Sequence, residues 1–252
     1  MTLIHIPADS PFFAGHFPGH PILPGVAHLA LIAEALGGVS ILEIPSLRLR
    51  SPVHPGDALA AKIDGPADGL VRFELSRQNE QENEAVSSGT IRLGPSGPLP
   101  ELPAIPDVSG EHPPVETLVP HAPPARLVRT ILEVTPEGLT GVAEIPGASP
   151  FAAGGQAPAF LGLEAAAQGA ALLEALGRRG EASAAGPRIG YLVALRGARC
   201  AVSALPVDRP FRFTVRLNGS APPLSIYTVT VEGAGGAELL RGSISTYIPP
   251  GS

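Results

Sequence analysis

The strongest constraint on the fold is the segment from Gly15 to Val26, which reads GHFPGHPILPGV. It holds three prolines within seven positions, and proline fixes φ and removes a backbone donor, so the segment suits neither a helix nor a sheet ladder. We therefore predict a rigid, ordered loop at residues 16–24. Residues 25–36 are apolar almost all round, which predicts a buried helix that ends at the glycine pair 37–38.

This arrangement places a histidine beside the N-terminus of a buried helix. His16 lies in the loop, and Gly25 lies where backbone N–H groups have no intrahelical partner and the helix dipole favours negative charge. A neutral histidine is a suitable base near pH 7, and a fixed N–H can stabilise a carbonyl oxygen that gains charge. The loop is thus a candidate catalytic site. The alternative is that His16 is only a hydrogen-bonded loop residue.

The same segment resembles the signature of the β-hydroxyacyl-[acyl carrier protein] dehydratases of the FabA/FabZ kind. It shares with them a histidine and two Pro-Gly pairs at the family's spacing, leading into an apolar helix, and Pro52–Asp57 is similar to a second family segment. The resemblance implies the hot-dog fold, in which a curved antiparallel sheet wraps one long helix. It also implies that His16 is catalytic, that the Gly25 N–H binds the thioester carbonyl, and that Phe17 and Pro24 bind substrate.

The chain contains a second, diverged copy of this opening. Ser149–Gly154 reads SPFAAG and echoes Ser10–Gly15, which reads SPFFAG, so we infer an internal repeat. The copies then differ, because the second has Gly155 near the place of the histidine. Residues 159–176 predict a second helix, rich in alanine and leucine.

The two predicted helices differ at the place of the family's catalytic acid. In the first helix that place, fourteen residues after the histidine, is Ala30, and Glu34 lies one turn further on. In the second helix the resemblance places Glu164 there, and Gln168 matches a common family glutamine with an implied role in substrate binding. The segment from His121 to Val128 also resembles the opening of these dehydratases, and the second half resembles the small dehydratase-like partner protein of aryl-polyene lipid clusters.

Proline-rich residues 94–114 separate the two copies and predict a semi-rigid, extended linker. We predict a first hot-dog domain at residues 1–93, in which Val39–Ile44 and Ser46–Pro52 form separate strands, and a second at residues 115–252. The fold class is α+β. The resemblance implies a double hot-dog whose two curved antiparallel sheets pair as an intramolecular pseudo-dimer.

In the family, each site takes its histidine from one subunit and its acid from the other. Here the losses are complementary, so we expect one composite site of His16 and Glu164, and an inactive mirror site near Ala30 and Gly155. The implied reaction is dehydration of 3-hydroxyacyl thioesters, linked to acyl carrier protein or CoA, to trans-2-enoyl thioesters. It belongs to fatty-acid or polyene-type lipid synthesis and requires no metal and no other cofactor.

Composition excludes several other classes. A net charge of −6 without a basic run argues against a nucleic-acid binder. The single cysteine, Cys200, excludes an internal disulfide and a cysteine-based metal site. The N-terminus lacks a basic leader and no apolar run reaches membrane-spanning length, so we expect a cytoplasmic protein without a membrane span. Assembly above the pseudo-dimer, such as a homo-oligomer, stays open.

Two other functions remain as alternatives. A hot-dog acyl thioesterase would use a carboxylate and an activated water near the same helix, and a non-catalytic acyl-binding module would also show diverged site residues. Arg48 and Arg50 are interpreted as an exposed strand face. They, or Arg178 and Arg179, are alternatively the groups that meet an acidic carrier protein.

Overall fold

The computed structural model describes residues 2–78, 83–105, 112–178 and 187–250. The first half consists of β1 (Thr2–His5), α1 (Ala27–Ala35), β2 (Ser40–Leu49), β3 (Ala58–Ala67), β4 (Leu70–Gln78) and β5 (Asn83–Gly94). The second half consists of β6 (Val128–Thr135), β7 (Gly138–Ala143), β8 (Gln156–Pro158), α2 (Leu161–Gly177), β9 (Tyr191–Cys200), β10 (Ala204–Pro206), β11 (Phe211–Ala221), β12 (Leu224–Glu232) and β13 (Glu238–Tyr247). Part of the predicted linker, residues 106–111, and Arg179 lie outside the described residues.

One antiparallel sheet passes through both halves. Within the described residues it has eleven strands in the order β1-β3-β4-β5-β2-β9-β13-β12-β11-β7-β6, while β8 and β10 form a separate two-stranded ribbon. The halves join where β2 pairs with β9, with Glu43 opposite Arg199 and Arg48 opposite Ala194. In each half the strand that follows the helix lies at this junction. The prediction of an α+β double hot-dog with paired sheets is confirmed.

The prediction of two strands between residues 39 and 52 was wrong. The structure has the single strand β2, whose pairing with β5 shifts register twice between Ile41 and Ser46. Pro45 lies within this irregular stretch. Because proline cannot donate to a ladder, it is tolerated at a bulge, and the strand deforms there without ending.

Two glycines allow α2 to lie close to the sheet. A Cβ atom on Gly169 would lie 2.4 Å from the Phe213 ring on β11, and one on Gly162 would lie 2.7 Å from Val231 Cγ2 on β12. Any larger residue would therefore push the helix away from the sheet. This close packing buries the side of α2 that faces the sheet, whereas Glu164, two residues after Gly162, projects from the opposite side of the helix.

The helices begin later than the sequence indicated. Helix α1 begins at Ala27, because Gly25 and Val26 form a turn ahead of it, and α2 begins at Leu161. Most of α1 is buried, as its composition predicts. Among the described residues, no helix combines the length and apolar character needed to cross a bilayer.

Candidate active site

The His16 loop fixes both the position and the tautomer of its imidazole. Phe17 has φ +59° and Gly19 has φ +84°, and the His20 N–H donates a 2.8 Å hydrogen bond to the Phe17 carbonyl, so the loop turns sharply after His16. His16 Nδ1 lies 2.8 Å from the Ile22 carbonyl oxygen. Because a carbonyl only accepts, Nδ1 carries the proton and Nε2 keeps a lone pair. Burial lowers the pKa of His16 to about 4, so the ring is neutral at pH 7.

Gly25 supplies a free amide at the entrance to α1. Among the described residues, no group accepts a hydrogen bond from its N–H. A Cβ atom at this position would lie 2.7 Å from Leu49 Cδ1 and 3.0 Å from Leu192 Cδ2. Glycine thus lets one side chain from each half close over the loop while its amide stays available to an acceptor.

Glu164 lies in the first turn of α2, where it is buried and held by a fixed glutamine. Burial raises the pKa of Glu164, and the 3.1 Å hydrogen bond that Gln168 Nε2 donates to its Oε1 partly opposes that rise. Gln168 Oε1 accepts from the N–H groups of Leu127 and Val128, at 2.9 and 3.3 Å, and Nε2 donates to the Ala125 carbonyl at 2.8 Å. The segment before β6 therefore clamps Gln168, and Gln168 orients Glu164.

His121 is a third polar group of the site, and no role was predicted for it from the sequence. Its Nε2 lies 3.6 Å from Glu164 Oε1, and its ring centroid lies 5.2 Å from that of His16 and 4.8 Å from that of Phe17. Burial, and to a smaller degree His16, lowers the pKa of His121 well below the usual value. One signal was available: the opening segment that includes His121 has no counterpart in the first half.

The structure brings these groups together from opposite halves of the chain. Three side-chain atoms able to bind a metal lie within 4.8 Å of one another, one each from His16, His121 and Glu164. The two loops are also joined directly, because the Ala122 N–H donates a 2.9 Å hydrogen bond to the Gly15 carbonyl. A Cβ atom on Gly15, which has φ +75°, would lie 2.1 Å from the Ala122 oxygen, so this joint requires glycine.

Two cavities meet at His16 and Glu164. A cavity of about 280 Å³, which His121 and Gly25 also line, extends between the halves past mainly apolar side chains. On the other side, a cavity of about 20 Å³ is large enough for one water molecule. His16 and Glu164 therefore lie between a space that suits an acyl chain and one that suits water.

The other predicted substrate-binding residues take different positions. Phe17 lines the large cavity and packs against His16, with ring centroids 4.2 Å apart. Pro24 lines the small cavity. Gln168 lines the large cavity, but its amide atoms are already bonded to protein groups, which favours a positioning role.

The corresponding groups of the mirror position do not form such a site. Ala30 and Gly155 line neither of the two cavities at His16 and Glu164. Gly155 is exposed, and its carbonyl accepts a hydrogen bond from the Val207 N–H beside the β8–β10 ribbon. In the second half, the short β8–β10 ribbon thus follows the repeat at the point where the histidine loop follows it in the first half.

Comparison with known families divides the chain at the same place. Residues 113–252 match the ApeP-like family, described as ApeP dehydratase, and residues 2–90 match the ApeI-like family, described as ApeI dehydratase. The ApeP-like match alone covers more than half of the chain.

Curated relatives match only part of the chain. The 3-hydroxyacyl-[acyl-carrier-protein] dehydratase FabZ of Roseiflexus castenholzii is 42% identical over 71 aligned positions, and the match covers 22% of this chain and 47% of that protein. FabZ of a Wolbachia species from Drosophila simulans is 36% identical over 100 aligned positions, and the match covers 33% of this chain and 70% of that protein. The chain thus spans about half the length of most curated relatives that it matches.

Solved structures share the fold, and some of them match nearly the whole chain. The dehydratase domain of PpsC from Mycobacterium tuberculosis, solved with C12:1-CoA, matches with a TM-score of 0.64 and 15% identity. This match covers 98% of the present chain and 92% of the PpsC domain. A chain of the dehydratase heterocomplex ApeI:P from Xenorhabdus doucetiae matches with a TM-score of 0.50 and 22% identity. This match covers 56% of the present chain and 94% of that chain. With the family matches, the conclusion is that the chain belongs to the ApeP-like dehydratase family and carries an ApeI-like dehydratase unit fused ahead of the ApeP-like one.

Proposed function

We propose that the chain is a hydro-lyase that converts 3-hydroxyacyl thioesters to trans-2-enoyl thioesters. The observation that carries the proposal is the meeting of His16 from one half with Glu164 from the other, beside a cavity lined by both halves. Dehydration requires removal of an α-proton and protonation of the leaving hydroxyl, and this pair supplies a neutral base and a buried carboxyl group.

His16 takes the α-proton. Its Nδ1 proton is engaged with the Ile22 carbonyl, so Nε2 is the basic atom. The electron pair of the broken C–H bond moves toward the thioester carbonyl, whose oxygen gains negative charge. The Gly25 N–H is free to donate to that oxygen, and a fixed donor at this point lowers the barrier.

Glu164 protonates the hydroxyl that leaves. Its raised pKa favours the protonated carboxyl group, and Gln168 holds the side chain in place. The C–O bond breaks as the proton transfers, and the products are the enoyl thioester and water. The step ends with a protonated His16 and an ionised Glu164. Proton exchange with solvent returns both groups to their starting states.

The substrate class follows from the cavity and the family. The apolar walls suit an acyl chain, and the site suits a thioester carried by acyl carrier protein or CoA in the cytoplasm, in fatty-acid or polyene-type lipid synthesis. We further propose that residues 94–114 link two units at 1–93 and 115–252, which replace the subunits of a dimer.

The proposal is tested by product analysis with a 3-hydroxyacyl-CoA. We expect absorbance of the conjugated enoyl thioester to appear without release of free thiol, and the reverse hydration to proceed with trans-2-enoyl-CoA. Thiol release without an enoyl product would identify a thioesterase instead. Saturable binding with neither product would identify an acyl-binding module.

A further inference from the structure

We propose that His16, His121 and Glu164 form a binding site for Zn²⁺, and that the bound metal reversibly blocks the reaction. The inhibitory effect rests on the proposed dehydration, whereas the binding does not. The metal is a regulator in this proposal and takes no part in catalysis.

The ligand set is one that zinc uses. Two imidazoles and one carboxylate form a well-known three-ligand site, with a fourth position left to water or substrate. The three ligand atoms lie within 4.8 Å of one another and all three side chains are buried. Bonds of about 2.0–2.2 Å around a tetrahedral metal would bring ligand atoms to roughly 3.3–3.5 Å apart, so each atom has to move by about 1 Å or less.

Neighbouring groups orient two of the ligands as in metal sites. His16 donates its Nδ1 proton to the Ile22 carbonyl, which leaves the Nε2 lone pair for a metal. Glu164 accepts a hydrogen bond from Gln168, whose amide is fixed by three backbone groups. Metal ligands in proteins are commonly held in this way, by a carbonyl behind the histidine and a donor behind the carboxylate.

His121 is the ligand that dehydration does not explain. Its side chain is more than nine-tenths buried, and Nδ1 has no hydrogen-bond partner among the described residues. Nε2 lies 3.6 Å from Glu164 Oε1, which is longer than a hydrogen bond. No hydrogen bond therefore fixes the tautomer of His121, and Nε2 is free to present a lone pair. A cation between the imidazoles and the carboxylate would bind all three groups.

Metal binding and catalysis would exclude each other. The metal would take the lone pair of His16 that removes the α-proton and the carboxylate of Glu164 that otherwise carries the transferred proton. The large cavity leads from the surface to these groups, which gives the ion an entry path and leaves room for a water ligand. We therefore expect inhibition that competes with substrate and is reversed by a chelator.

The test uses the full chain after chelator treatment, with Co²⁺ as a spectroscopic probe and Zn²⁺ in calorimetry. We expect one ion per chain, the visible absorption of four-coordinate cobalt, and displacement of cobalt by zinc. His121→Asn should weaken Zn²⁺ affinity at least about 100-fold. The matched control is His54→Asn, since His54 is exposed and pairs with the exposed His20, with ring centroids 6.3 Å apart. This variant should bind metal as the unchanged chain does.

Inhibition is then measured relative to each variant's own metal-free rate. Micromolar Zn²⁺ should inhibit the unchanged chain and the His54→Asn variant, and the dose needed for His121→Asn should rise at least about 100-fold. Absence of the cobalt spectrum, equal affinity in the His121→Asn variant, or loss of binding in the His54→Asn variant would overturn the metal site. Binding without inhibition would overturn the blocking role. One bound ion in a chain that performs no dehydration would retain the metal site and contradict the proposed function instead.

Discussion

The two positions related by the internal repeat begin with the same sequence pattern but hold different groups. Phe12 and Phe151, equivalent residues of the repeat, pack with ring centroids 4.9 Å apart, so the two copies are in direct contact. On one side the structure has His16 and Glu164, and on the other side Ala30 and the exposed Gly155. The repeat therefore keeps the phenylalanine of its opening segment in both copies and the reactive groups at one position.

The difference shows what the burial of ionisable groups costs the fold. Burial lowers the pKa of His16 and raises that of Glu164, so the folded protein disfavours the charged form of each group relative to water. Ala30 carries no such cost, and Gly155 lies in solvent. We infer that the position of His16 and Glu164 keeps the reactive groups, whose burial is unfavourable, and that the mirror position contributes only packing. The following variants test that division in order of decreasing effect.

The largest expected effect is that of His16→Asn. Asparagine can still donate to the Ile22 carbonyl, but it has no basic nitrogen, so kcat/KM for dehydration should fall by about 10²–10⁴-fold. His28→Asn is the matched control, because His28 is also buried in the large cavity, bonds to Ser87 instead of the cluster, and has a pKa lowered to about 4. It should cost less than about tenfold. An equal loss in both variants would contradict the role given to His16.

The pH profile tests the same residue without mutation. His16 has a pKa lowered to about 4, and it must be neutral to act as base. The value of kcat/KM should therefore stay high well below the ordinary histidine range and fall only as pH decreases through about 4, in a pH range where circular dichroism still shows the fold. An acid limb near pH 6.5 would show that His16 is not buried in this way.

Glu164→Gln should reduce the rate by about 10²–10³-fold and make the protein more stable at high pH. A carboxyl group with a raised pKa binds its proton more tightly in the folded state. The free energy of unfolding therefore begins to fall as pH rises above 4.5, the ordinary pKa of a glutamate. The fall is complete above the pKa that Glu164 has in the folded state. The melting temperature of the variant should exceed that of the unchanged chain at pH 8 and match it at about pH 4. A melting temperature below that of the unchanged chain at pH 8 would contradict the burial of a carboxyl group that has no positively charged partner.

Gln168→Ala should have an intermediate effect. It leaves the N–H groups of Leu127 and Val128 without their acceptor, which should lower the free energy of unfolding by about 1–3 kcal/mol. It also removes the hydrogen bond that lowers the pKa of Glu164, so the basic limb of kcat/KM should move to higher pH. Chemical denaturation and the pH profile measure the two effects. An unchanged basic limb would make Gln168 a structural residue only.

Ala30→Glu should have the smallest effect on activity. It restores a carboxyl group to the mirror position, but that side has no histidine, so kcat/KM should change by less than about twofold. The melting temperature should fall, because Ala30 packs against the core and a carboxyl group there loses hydration. A rise in activity per chain would show that the mirror position can still catalyse.

Some of this structure could be predicted from the sequence and some could not. Both helices were predicted, since long apolar runs mark them locally, although each begins later than predicted. Strand β2 was divided wrongly, because the effect of Pro45 depends on a neighbouring strand. The pairing of His16 with Glu164 came from family resemblance. His121 was missed because its contact with Glu164 joins segments whose proximity only the packed fold creates.

The most direct test of the composite site is a double-mutant cycle on kcat/KM with His16→Asn, Glu164→Gln and the two together. If the two residues act on one substrate as a unit, the double variant should be no more than about threefold slower than the slower single variant. Mixing the two single variants should restore nothing, since each chain holds both groups internally. Multiplication of the two losses, or full activity in the Glu164→Gln variant, would contradict a site shared between the halves.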